Sequence, residues 1–180
     1  MKTLTIRYTA DINDKSVNRL LDAIEKKIND YEKIVLLISS AGGSISPGIT
    51  AYNYIKKLPV VVETQNIGSI DSIANVLFCS GKIRTSTPDG TFLFHNVVFK
   101  PEKERYDEPE LKEQMEVLQD QRRTIASIVS KTCKKPQSVI EELMFKRTNL
   151  SAKEAKKLGL IQNISKKSIK PNSMVLHIHE

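Results

Sequence analysis

Through the first hundred residues, short apolar runs alternate with segments whose apolar side chains recur every three to four positions. Thr3 to Thr9 mixes β-branched and aromatic residues and reads as a strand. The next segment puts Val17, Leu20, Leu21, Ile24, Ile28 and Tyr31 on one helical face, with Asp14 or Ser16 as its N-cap. Lys33 to Ile38 is an uninterrupted apolar run, the pattern of a strand covered on both faces. Ser46, with Pro47 as first helical residue, predicts a helix through Ala51, Tyr54 and Ile55. Pro59 to Val62 reads as a second buried strand, Ile73 to Phe78 as a short buried helix. Ile83 to Thr87 and Thr91 to Val97 read as strands flanking a Pro88-Asp89-Gly90 turn. This alternation predicts an α/β fold with a parallel sheet.

Beyond residue 100 the pattern turns helical. Lys100 to Pro109 is a charge-dense connection, and Glu110 to about Thr132 predicts a long helix with Leu111, Met115, Leu118, Ile125 and Ile128/Val129 on one stripe. Pro136 opens another helix, through Leu143. Ser151-Ala-Lys-Glu154 is a capping box, and Gly159 closes that helix two turns later. The tail, residues 166–180, is basic and then alternates from Met174 to His179 as an added edge strand.

Composition narrows the classes. The chain has 180 residues, 39% hydrophobic and 27% charged, which fits one compact domain over 1–180 and excludes a disordered tail protein. No apolar run reaches the ~18 residues of a membrane span, and the N-terminus lacks a signal-peptide stretch, so a cytoplasmic protein with no membrane partner is expected. The net charge of +7 comes from basic pairs scattered along the chain without interleaved aromatics. That distribution reads as solvated surface and argues against a nucleic-acid partner.

Three features carry candidate chemistry. Gly42-Gly43 directly follows a buried strand, which lets backbone approach a ligand closely or simply makes a tight turn. Ser72 precedes a buried helix, as nucleophile or plain N-cap. His95 sits in a strand among Phe92, Phe94 and Val97, where a histidine is commonly structural. Their order at the ends of sheet elements is more specific than any one alone. His177 and His179 share one face of the terminal strand, but no third metal ligand lies nearby, so neither metal nor cofactor is expected. Cys79 and Cys133 form no CxxC pair, and Cys79 reads as core.

The segments Leu37-Ile-Ser-Ser-Ala-Gly-Gly-Ser44, Ile67-Gly-Ser-Ile-Asp-Ser-Ile-Ala74, Phe92-Leu-Phe-His-Asn96 and Leu150-Ser-Ala-Lys-Glu-Ala-Lys-Lys-Leu-Gly-Leu-Ile161 resemble, in order, signature segments of the Clp protease proteolytic subunit. The resemblance spans roughly residues 3 to 165. It implies a Clp/crotonase-like fold of repeated ββα units, a long helix projecting as a handle (about 110–132), and homo-oligomeric rings acting on peptides or unfolded proteins. It puts the nucleophile at Ser72, the general base at His95, and the oxyanion-hole N–H groups at Gly43 and Ile73.

The departures from that pattern are equally specific. The family's triad aspartate aligns with Arg147, whose cation cannot hold an imidazolium. Thr148 and Asn149 are the adjacent polar candidates for a third member, and Asp71, Asp107, Glu141 and Glu142 are carboxylates the fold would have to bring round. In the best studied triad, losing the acid costs about four orders of magnitude in rate. Ala41 stands where the family usually has proline, and Asp71 where a small residue usually precedes the nucleophile. The chain starts at what resembles the family's first core strand, without the segment forming axial pore loops, which argues against docking of an ATPase unfoldase. The sequence thus supports a serine peptidase working through a Ser72 acyl-enzyme. Its rivals are a catalytically weakened ring subunit beside an active partner, and a crotonase-type acyl-CoA enzyme using the same N–H pair.

Overall fold

The computed structural model describes residues 2–99, 101, 103–165 and 175–179. Among these, eight strands and six α-helices form a mixed α/β fold. The strands are β1 (Thr3–Thr9), β2 (Lys33–Ser40), β3 (Val61–Asp71), β4 (Ile83–Ser86), β5 (Thr91–Leu93), β6 (Asn149–Ser151), β7 (Asn163–Ile164) and β8 (Val175–His179). The helices are α1 (Asp14–Glu25), α2 (Ile45–Lys56), α3 (Ala74–Phe78), α4 (Glu108–Cys133), α5 (Gln137–Phe145) and α6 (Ala152–Leu158). The sheet runs β6-β5-β3-β2-β1-β8, with β4 also on β3 and β7 on β4. All pairings are parallel except β5 with β6.

The buried strand expected over residues 33–38 lies between β1 and β3: on one face Ile34, Leu36 and Ile38 are at most 1% exposed, and on the other Leu37 is buried at 6% while Val35 is half-buried. The expected terminal edge strand forms as β8 on β1; Met174 and the basic stretch 166–173 lie outside the described residues. The Ser151/Glu154 capping box and the Gly159 cap bound α6.

Several boundaries differ, each for a local reason. The cap of α1 is Asn13, whose side chain accepts from the Ser16 N–H while Ser16 Oγ accepts from the Asn13 N–H, so Ser16 closes the box rather than starting the helix. Helix α2 begins at Ile45 after Ser44, which puts Pro47 in the third helical position, where a missing N–H still costs nothing. Helix α4 starts at Glu108, capped by Asp107 with Pro109 in its first turn.

The strand expected to end at Val62 continues to Asp71. Its polar stretch alternates instead of leaving the sheet: Thr64 Oγ1 donates to Phe78 O at 2.8 Å and Asn66 Nδ2 to Thr91 O at 2.9 Å, so both bury at 0% exposure. The strand expected to reach Val97 stops at Leu93. Its neighbours run out there, β3 ending opposite at Asp71 and β6 at Asn149, and Phe94 N–H makes one last bond, to Thr148 O. His95 therefore lies beyond the strand, not in it.

Helix α4 has two characters. No described residue before Ile125 is buried, whereas Ile125, Ala126, Val129 and Cys133 pack into the core. Leu111 and Met115, on the expected stripe, are 48% and 55% exposed.

Candidate active site

Ser72 is the first residue of the two-residue corner, Ser72-Ile73, between β3 and α3. Its φ of 56° is left-handed, an unusual state for a residue with a Cβ, and the corner is tied down by Ser72 N–H to Leu93 O at 2.9 Å and Asn75 N–H to Ser72 O at 3.1 Å. The strand delivers the serine, and the sharp reversal lifts its side chain clear of the sheet.

The glycine loop packs against this corner. A Cβ on Gly42 would stand 2.8 Å from both Asp71 O and Ser72 Cβ, so only glycine admits the approach. Gly43, at φ 140°, lies so close to the segment after β1 that a Cβ would come within 2.2 Å of Ile12 O. That contact is locked by Ile12 N–H to Gly42 O at 2.6 Å and Ser44 N–H to Ile12 O at 2.7 Å. Among the described residues, neither the Gly43 nor the Ile73 N–H finds an acceptor.

A 140 Å³ cavity opens here, lined by Gly43, Ile45, Ser72, Phe94, His95, Val97, Val98, Ile125 and Met144. Ser72 and His95 thus share one cavity, and no hydrogen bond joins them among the described residues. His95 is half-buried, and its Nδ1 lies 2.7 Å from Asn96 O. A carbonyl only accepts, so this bond requires Nδ1–H and leaves Nε2 with its lone pair. Such a tautomer suits a general base.

The residues considered for a third partner are placed as follows. Arg147 is exposed, at φ 50°, just after α5. Thr148 meets the base segment through its backbone, its carbonyl accepting from Phe94 N–H at 2.8 Å, and Asn149 is exposed in β6 opposite Leu93. Neither side chain bonds His95 among the described residues. Asp107 caps α4, Glu141 pairs with Gln137 and Glu142 with Lys146. Asp71 is the carboxylate whose charge interacts with His95. Burial pushes its carboxyl above the ordinary value, while the Leu93 N–H and the histidine pull it back.

One residue that the sequence pattern hid is Asn75, 0% exposed in α3. Its Nδ2 reaches three carbonyls, Ile70 O at 3.3 Å, Ser72 O at 3.1 Å and Leu93 O at 3.0 Å. It sits inside an apolar run, and only its polarity there was a signal. Elsewhere, His177 and His179 are exposed on β8, and no cluster of three metal-ligating side chains exists among the described residues. Cys79 and Cys133 are buried free thiols, pushed up to about 11 and about 12 chiefly by burial.

The sequence model of the Clp protease family matches residues 1–168. The chain belongs to the Clp protease family. It is 27% identical over 161 residues to an ATP-dependent Clp protease proteolytic subunit of Pleurastrum terricola, covering 86% of this chain and 80% of that protein. A protein of the same name from Oltmannsiellopsis viridis is 26% identical over 161 residues, with the same coverage. The α/β architecture is that of a Clp protease, and no described helix is long and apolar enough to cross a membrane.

Proposed function

We propose that the chain is a serine peptidase of the Clp type, cutting peptides through an acyl-enzyme on Ser72. The observation that carries this is one cavity shared by a left-handed serine, an imidazole with Nε2 free and an acceptor-less Gly43 N–H, with the Ile73 N–H next to the serine. Ser72 Oγ attacks the scissile carbonyl as His95 Nε2 takes its proton. Gly43 and Ile73 N–H hold the oxyanion, at about 3–4 kcal/mol of barrier per donor. His95 returns the proton to the leaving amine, and water, activated by the same imidazole, then hydrolyses the Ser72 ester. The apolar cavity walls Ile45, Phe94, Val97, Ile125 and Met144 favour an apolar side chain beside the scissile bond. The exposed apolar residues of α4 suit contacts between subunits of a homo-oligomeric ring.

A second reading, a weakened subunit beside an active partner, draws on one observation: the group facing His95 Nδ1 is a neutral carbonyl, while a cation occupies position 147. Intact-mass labelling with a fluorophosphonate separates the two. A single adduct lost in Ser72→Ala and slowed by about 10²–10⁴ in His95→Ala is expected for the peptidase. No adduct on the wild-type protein would sink it and favour the weakened subunit.

A further inference from the structure

Resting on the peptidase reading, we propose that Asn75 is a positioning residue that fixes the Ser72 corner against the His95 segment. Its amide sits where three chain segments meet. Ile70 O belongs to the last turnless stretch of β3, Ser72 O to the left-handed corner itself, and Leu93 O to the end of β5, two residues before His95. Three carbonyls surround one end of the amide, and only its nitrogen can meet them, which fixes the side chain's orientation. The opposite end, Oδ1, is buried without a partner. Leaving that acceptor unsatisfied is a cost that an alanine would avoid, and what the site gains in exchange is an amide whose two hydrogens are shared among three carbonyls.

Two of these three carbonyls are already used by the corner's backbone. Leu93 O takes the Ser72 N–H, and Ser72 O takes the Asn75 N–H. The side chain therefore closes a ring: Ser72 to Leu93 through the backbone, Leu93 to Asn75 and Asn75 back to Ser72. Opening it frees Ser72 to relax from its left-handed φ and lets the chain leading into His95 shift away from the serine. Ser72 follows β3 and His95 follows β5, and the Asn75 side chain is bonded to a carbonyl of each of those strands, Ile70 O and Leu93 O.

The test compares wild type, Asn75→Ala, Asn75→Ser and Ser72→Ala by fluorophosphonate labelling kinetics and by crystal structures. Asn75→Ala is expected to slow the maximal labelling rate about ten- to a hundredfold with probe affinity unchanged, since small misplacements at a reacting centre act on rate. Asn75→Ser, which keeps one donor and guards against an alanine variant that fails to fold, should fall between. A role in packing alone would lower the melting temperature and leave the folded protein labelling at the wild-type rate. In the crystal, Ser72 of Asn75→Ala should leave the left-handed region. Wild-type labelling rates in folded Asn75 variants, with Ser72 still near its present φ, would overturn the proposal while leaving the peptidase intact. If wild type itself takes no label, the peptidase reading fails and the Ser72 conformation in the variants decides for or against the clamp.

Discussion

The two halves of the site are built to different standards. On the nucleophile side, Ser72 is held at φ 56° between β3 and α3, with bonds from its N–H and to its carbonyl, and the glycine loop touches it at distances no Cβ would survive. On the base side, His95 hangs one residue past the last sheet hydrogen bond of its segment, half-buried, oriented by the carbonyl of its own neighbour. One half is over-determined by the fold and the other is set locally. In the proposed reaction the N–H groups meant for the oxyanion would thus be set before substrate arrives, whereas the charge developing on His95 would meet only a neutral carbonyl at Nδ1 and the carboxyl of Asp71.

The largest effect expected from breaking this contrast is at Gly43. In Gly43→Ala the new methyl would lie 2.2 Å from Ile12 O, at a φ of 140° that alanine avoids, so the loop must leave the segment after β1. We expect a loss of about 2 kcal/mol or more in urea unfolding, and labelling at Ser72 slowed by about 10²–10³ in the protein that still folds. A variant that folds and labels normally would mean that the loop is not the rigid half.

How much of this was legible beforehand follows the same division. The buried strands announce themselves through residue type and period, whereas Ser72 and the glycine pair, each open to a plain cap or turn reading on its own, stood out only through their order along the chain and the family resemblance it carries. The length of β3 did not, since Glu63, Thr64, Gln65 and Asn66 look like a departure from the sheet until Phe78 O and Thr91 O supply partners from elsewhere. Asn75 was masked by the apolar run around it. The partner of His95 was unreadable in principle: Asn96 O is a backbone atom, and a backbone atom has no residue signature.

Asp71 links the halves, and its effect should be intermediate. Its carboxyl is raised above 3.8 mainly by burial, so the fold favours the protonated form. The unfolded chain then binds fewer protons in the window between 3.8 and the raised value, and stability falls as pH rises through it. Asp71→Asn should flatten that slope and gain relative to wild type from pH 4 to pH 7 in urea unfolding. The same carboxylate faces the His95 charge from across the β3–β5 pair, so its removal should also slow labelling about threefold to fivefold, the scale of a half-exposed ion pair. A stability advantage that shrinks with rising pH would show that burial does not raise this carboxyl, and unchanged labelling would show that the base draws nothing from the nucleophile side.

The smallest change is expected where the family pattern suggests the greatest. Arg147→Asp restores a carboxylate at the aligned position, and aspartate tolerates the φ of 50° found there, so the fold should accept it. The surrounding backbone is held independently, by Arg147 N–H to Met144 O at 3.2 Å and Thr148 N–H to Leu143 O at 3.1 Å. A carboxylate helps a histidine by accepting its Nδ1–H, and here that proton already points at Asn96 O. An exposed charge with no proton to accept acts only through solvent, so labelling should change by less than about threefold, and less still as salt is raised. A gain of tenfold or more would mean that His95 turns from Asn96 to the new acid, and that the weakness of the base half lies in one missing charge rather than in how its segment is held.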